Sequence, residues 1–244
     1  MSRLQGKTAV VTGGGSGIGL GAAKRFIDEG AFVYISGRRQ EALDAAVAKL
    51  GSSARAIKGS VTDLSDLDRL YAAVKAERGG LDILFANAGT GAFAPLGEIT
   101  PKHYDQIFDV NVKGLVFTVQ KALPLMKKGS SIILTGSSTG VMGTPQFSVY
   151  SATKAAIRNL ARSWAQDLRG TGIRVNVLSP GPTKTELALE VVGEEAFNAL
   201  GSTTPLGRVG DPTETGAVAA FLASSDSSFM TGGEVFVDGG LAQV

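Results

Sequence analysis

Seven short apolar runs punctuate this chain at residues 7–12, 32–36, 54–58, 81–86, 131–135, 173–178 and 234–237. Most are β-branched and apolar on both faces, the pattern of parallel strands buried between two layers of helix. Between them lie stretches with helical periodicity, at 17–29, 39–50, 66–78, about 103–126, 150–169 and 213–223, the last announced by Asp211-Pro212. Strand and helix alternate to the end, which predicts an α/β fold: a doubly wound parallel sheet of seven strands joined by right-handed crossovers. No linker, repeat or low-complexity tract interrupts it, so residues 1–244 read as a single domain. The longest irregular stretch, 180–210, follows the sixth strand, where an excursion of about 182–210 is placed to cover a site beyond the carboxyl ends of the strands.

Composition narrows the chemistry. Hydrophobic residues make up 43% and charged residues 19% of 244 positions, ordinary usage for a globular protein. The 24 basic and 22 acidic residues leave a net charge of +2, too little field to predict a nucleic-acid or membrane partner. Zero cysteines exclude disulfides and thiol nucleophiles, and a single histidine argues against a histidine metal centre or a Ser-His-Asp triad. No metal is therefore expected. His103 belongs to the first turn of a helix that starts with Thr100 as N-cap and Pro101 at N1. The start of the chain lacks the pattern of a signal peptide, and a cytoplasmic protein is the economical expectation.

Two features point to a nucleotide. TGGGSGIG, from Thr12 to Gly19, falls where the first strand should turn into the first helix. Glycines there let backbone approach a pyrophosphate, and a helix N-terminus offers free N–H groups and positive dipole. At the end of the second strand, where a carboxylate would bind ribose hydroxyls, the residues are Ser36, Gly37, Arg38 and Arg39. Two guanidiniums at a helix start oppose its dipole, and a 2'-phosphate gives them a reason to be there. A solvated basic turn balanced by Glu41 and Asp44 is the plain alternative.

The reactive groups follow. Tyr150 and Lys154 are four residues apart, on one face of a helix, and Ser137 precedes Tyr150 by thirteen positions at the end of a strand. A phenol with a pKa of about 10 is a poor acid or base at neutral pH. A unit charge about 4 Å away at a dielectric near 20 supplies at most about 4 kcal/mol, or about three pKa units. Lys154 is therefore expected to bring Tyr150 towards its working range. Ser138 adjoins Ser137 as an alternative partner.

Together these segments resemble the classical short-chain dehydrogenase/reductase family over essentially the whole chain. The matching motifs are Thr12 to Gly19, Asn87-Ala88-Gly89 after the fourth strand, Asn111 in DVNVKG, Ser137, Tyr150-Ser-Ala-Thr-Lys154, and Pro180-Gly181 after the sixth strand. The resemblance implies a Rossmann-type fold and hydride transfer between a nicotinamide cofactor and an alcohol or carbonyl. It implies Tyr150 as general acid/base, Ser137 polarising the substrate oxygen, and Lys154 both lowering the Tyr150 pKa and binding the nicotinamide ribose. Asn111 would hold a water linking Lys154 to solvent, or alternatively only break a helix. Gly13, Ser16, Gly17, Ile18 and Gly19 would cradle phosphate. Asn87 and Gly89 would approach the adenosine side, and Gly181, Thr183 and Thr185 the nicotinamide end. Gly37, Arg38 and Arg39 resemble the NADP-preferring subgroup. Where many members carry an acid against adenine, this chain has Ser60-Val61, leaving backbone contacts or Asp63.

The expected activity is that of an NADP(H)-dependent carbonyl reductase or alcohol dehydrogenase, similar to bacterial short-chain enzymes of that kind. The cofactor half would be about 1–130 and the catalytic half about 131–244. A 3-oxoacyl-[acyl-carrier-protein] reductase is the alternative, with Lys127, Lys128, Arg169 and Arg174 as its docking surface, and a non-catalytic NADP sensor or scaffold is a third. Met142, Phe147, Leu187, Leu189, Val191 and Phe197 would border the pocket and suit an apolar substrate. The resemblance also implies a homotetramer.

Overall fold

The computed structural model describes residues 2–244. In chain order the elements are β1 (Thr8–Thr12), α1 (Gly17–Asp28), β2 (Phe32–Gly37), α2 (Gln40–Leu50), β3 (Ala54–Lys58), α3 (Leu64–Arg78), β4 (Leu81–Ala86), α4 (Pro101–Phe108), α5 (Gly114–Ala122), β5 (Met126–Thr135), α6 (Ser148–Asp167), β6 (Arg174–Pro180), α7 (Glu186–Val192), α8 (Glu194–Ser202), α9 (Pro212–Ala223) and β7 (Glu234–Val237). The strands form one parallel sheet in the order β3-β2-β1-β4-β5-β6-β7. The chain fills one side of β1, then returns to fill the other from β4 outward. That reversal opens a crevice at the carboxyl ends of β1 and β4, where an open sheet of this kind takes its ligand.

Alternation along each strand feeds two cores. Val11 and Ile35 join Phe26, Leu43 and Leu222 under α1, α2 and α9, while Val10 and Tyr34 face Leu70, Val119 and Ile157 under α3, α5 and α6. All of these side chains are almost wholly withdrawn from water. Among the described residues, no helix is long and apolar enough to cross a membrane.

The departures from the sequence expectation have local causes. The single helix predicted over 103–126 is divided: after α4 the backbone widens into a π turn at Asp109–Lys113 before α5 resumes. Asn111 sits within that turn with its amide turned to loop backbone. The irregular cover contains two short helices, α7 and α8, separated by Gly193 at φ +83. Thr100 and Pro101 begin α4 as read. Asp63, left open as an adenine contact, caps α3 instead, accepting from the Ser65 N–H at 2.9 Å and the Ser65 hydroxyl at 2.7 Å.

Candidate active site

The glycine loop is built for close approach. A Cβ at Gly14 would lie 2.7 Å from the Ile35 side chain, and one at Gly19 would lie 2.7 Å from Asn87 Nδ2 and closer still to the Gly13 carbonyl. Gly13 and Gly17 have φ of 67 and 51, a region that other residues rarely enter. Ser16 is the N-cap of α1 but makes no side-chain cap, and the first turn of α1 carries no acid. The N–H groups around Ile18 and Gly19 are thus left to an external anion, so the residues present fit a pyrophosphate.

Thr12 and Asn87 lock this loop to the end of β4. The Asn87 and Ala88 N–H groups donate to Thr12 Oγ1 at 3.0 and 3.1 Å, and Asn87 Nδ2 donates to the Thr12 carbonyl at 3.1 Å. Asn87 therefore braces the phosphate loop. Gly89 lies deeper in the cleft, where its Cβ would be 3.4 Å from Asn111 Oδ1 and 3.8 Å from Lys154 Nζ.

Arg38 and Arg39 stand exposed just past β2. Neither is balanced by Glu41 or Asp44: Asp44 accepts from Gln40, and Arg39 reaches Glu186 of α7 at 3.0 Å. Arg38 has no ion pair among the described residues, which leaves its guanidinium open to a phosphate. Ser60 and Val61 flank the same side of the cleft. The Ser60 N–H is taken by Asp66 at 2.7 Å, and Val61 packs against Gly114 of α5.

Deeper in, four side chains converge. Ser137, just past β5, faces the Tyr150 phenol closely enough to favour its ionised form, and Thr139 donates to Ser137 Oγ at 3.0 Å, fixing the serine. Ser138 is buried and is not the partner. Lys154, 4% exposed, donates from Nζ to the Thr135 carbonyl at 2.9 Å and lies 5.3 Å from the centroid of the Tyr150 ring. Asn111 accepts the Thr90 N–H at 2.8 Å and gives both amide hydrogens away, to the Thr90 carbonyl at 2.9 Å and Thr153 Oγ1 at 3.1 Å. Its side-chain N–H groups are spent, so any water it holds must donate to its oxygens.

Burial pushes the Tyr150 phenol up to about 12, with Ser137 pulling partly back, and burial brings Lys154 down to about 8. The Lys154 ammonium is held by the Thr135 carbonyl, 5.3 Å from the centroid of the ring, and burial outweighs the opposing pull on the phenol. At neutral pH the phenol keeps its proton, the form that can protonate an alkoxide.

The loop after β6 closes the other wall. Gly181 passes so near Asp238 that a Cβ would sit 2.6 Å from its Cα, Thr183 is buried and donates to the Gly181 carbonyl at 3.2 Å, and Thr185 caps α7 through the Ala188 N–H at 3.1 Å. The Thr185 methyl faces Gly17, so the root of the cover rests on the phosphate loop. The basic docking surface loses one of its four residues. Arg174 is buried and donates to Ser227 and to the Leu222 and Ser224 carbonyls, while Lys127, Lys128 and Arg169 lie at the opposite end of the sheet from Tyr150.

Sequence reasoning missed Thr12, Thr90, Thr135 and Thr153 as structural partners of the site, and Phe93 as a neighbour of Phe147. Each acts across loops distant in sequence; only Thr153, three residues after Tyr150, was within reach of helical spacing.

Fold and site together define a dinucleotide-binding oxidoreductase of the doubly wound type. A family model described as enoyl-(acyl carrier protein) reductase matches residues 13–242. The chain is 64% identical over 246 residues to an oxidoreductase, asL5, of Sarocladium schorii, covering 100% of this chain and 99% of that one. It is 34% identical to an NADP-dependent (R)-specific alcohol dehydrogenase of Lentilactobacillus kefiri, over 98% and 97% of the two chains. A solved short chain dehydrogenase/reductase family protein superposes with a TM-score of 0.88 at 38% identity, over 99% and 100%. The chain belongs to the short-chain dehydrogenase/reductase family.

Proposed function

We propose that this protein is an NADP(H)-dependent reductase that interconverts ketones or aldehydes with alcohols. The observation that carries the reading is the convergence of Ser137, Tyr150 and Lys154, with Lys154 Nζ 5.3 Å from the Tyr150 ring, set beside a glycine cradle fit for pyrophosphate and an unpaired Arg38. When bound, the nicotinamide supplies or accepts a hydride. The loop Gly13–Gly19 would hold its diphosphate, Arg38 its 2'-phosphate, and Lys154 its ribose. Ser137 orients the substrate carbonyl oxygen, and Tyr150 passes its proton to that oxygen as negative charge develops. The Lentilactobacillus kefiri relative, named for NADP and alcohol, supports the choice of cofactor and substrate.

The test is NADPH oxidation, followed by absorbance, with a panel of aliphatic, aryl and cyclic ketones. Tyr150→Phe should lower kcat by about a thousandfold or more while NADPH still binds; a variant with most of the wild-type rate would refute the role of Tyr150. The description of the matched family model favours a second reading, reduction of an acyl chain on a carrier protein. Turnover of carrier-linked 3-oxoacyl thioester but not free ketones would select it. We further propose a cytoplasmic homotetramer without a catalytic metal. The half-exposed edge strand β7 and the exposed Tyr104 and Phe229 are suited to partner subunits.

A further inference from the structure

An aromatic ladder starts on the catalytic ring itself. Phe147 stacks on Tyr150 with centroids 4.4 Å apart and planes at 26°, and Phe93 lies on Phe147 at 4.5 Å and 32°. The last ring is 42% exposed. Two backbone features hold the arrangement. Gln146 is the sole non-glycine residue with positive φ among the described residues, at 61, and its carbonyl accepts the Ala94 N–H at 2.8 Å. That bond ties the loop before α6 to the loop after β4. Beneath the rings, a Cβ at Gly91 would lie 3.0 Å from Phe147 Cζ and 3.1 Å from Tyr150 Cδ2, so any larger residue there would have to push the rings aside by a few tenths of an ångström.

Strain and close approach spent on rings at a cleft mouth are not explained by packing alone, since packing would bury Phe93. We infer that Phe93 and Phe147 form an aryl subsite beside Tyr150, which selects ketones whose carbonyl is borne on or next to a planar ring. The subsite deepens the reductase reading and, for its turnover arm, rests on it. A ring seated against Phe93 covers the exposed surface and gains the offset or edge-to-face contact that aromatic pairs prefer.

The experiment compares wild type, Phe93→Ala and Phe93→Tyr. With NADPH, kcat/KM is measured for β-tetralone and for a straight-chain methyl ketone of the same carbon count, and calorimetry measures binding of β-naphthol to the cofactor-loaded protein. Phe93→Ala should lower the tetralone-to-methyl-ketone ratio by about three- to tenfold and weaken naphthol binding by a similar factor, while Phe93→Tyr restores both. An unchanged ratio with unchanged naphthol binding would overturn the subsite and leave the reductase reading standing. If wild type turns over neither ketone, the reductase reading fails separately, and naphthol binding alone decides the subsite: equal affinity in wild type and Phe93→Ala overturns it.

Discussion

Thr12→Val probes the joint between the phosphate loop and the rest of the cleft. Thr12 is 1% exposed, and its hydroxyl accepts two backbone N–H groups, from Asn87 at 3.0 Å and Ala88 at 3.1 Å. Valine has nearly the same shape, so no cavity opens, but both N–H groups, on part-buried residues, lose their acceptor. Each unsatisfied group costs about 1–3 kcal/mol, or about 2–6 kcal/mol for the pair. A domain is commonly stable by about 5–15 kcal/mol. The substitution should therefore remove a large share of that margin and lower Tm by about 4 to 24 °C, at about 2–4 °C per kcal/mol for this size. Thr12→Ser keeps the acceptor and loses one buried methyl, about 0.8 kcal/mol. The assay is thermal and denaturant unfolding by circular dichroism of the cofactor-free protein, with calorimetry for NADPH affinity. Affinity should fall in Thr12→Val, because the glycine loop and the Asn87–Gly89 loop are no longer tied. A Thr12→Val protein within about 0.5 kcal/mol of wild type, the range of a neutral surface change, would refute the reasoning. So would a serine variant as unstable as the valine one.

Arg38→Ala should raise the KM for NADPH by about 10- to 100-fold, the value of a hydrogen bond to a charged group, and change that for NADH little; equal effects on both would undo the phosphate assignment. Stability should also depend on alkaline pH with two opposing limbs. Lys154 titrates near 8 when folded and 10.5 in its ordinary state, so the unfolded chain binds more protons in that window and stability rises with pH. Tyr150 and Tyr34 are pushed up to about 12 from 10, so above pH 10 the unfolded chain loses protons that the folded one keeps, and stability falls. Denaturant midpoints across this range should pass through a maximum near pH 10, and Lys154→Met should lose the rising limb; a variant with the wild-type slope between pH 8 and 10 would show that Lys154 is not its source.

The strands were legible because burial on both faces leaves no choice of residue: Val10 and Val11 point to opposite cores and both must be apolar. The same holds for the glycine loop, where steric exclusion by Ile35 and Gly13 is written as glycine in the chain. What stayed hidden depends on partners far away in sequence. Arg174 read as surface charge, yet it is satisfied by the Leu222 and Ser224 carbonyls, whose approach no local pattern announces. The break in the long helix at Asn111 requires the Thr90 backbone and Thr153 as hydrogen-bond partners, and these meet only when α4 and α6 pack together. Tyr150 and Lys154 make the point most sharply. Helical spacing placed the two residues side by side, but the direction of the tyrosine shift follows from burial of the phenol, which only the packed fold creates, while the ammonium is held by a carbonyl on β5. With Nζ held over the ring and the phenol buried, the site as built favours a protonated Tyr150. Carbonyl reduction by the proposed route would draw on that proton.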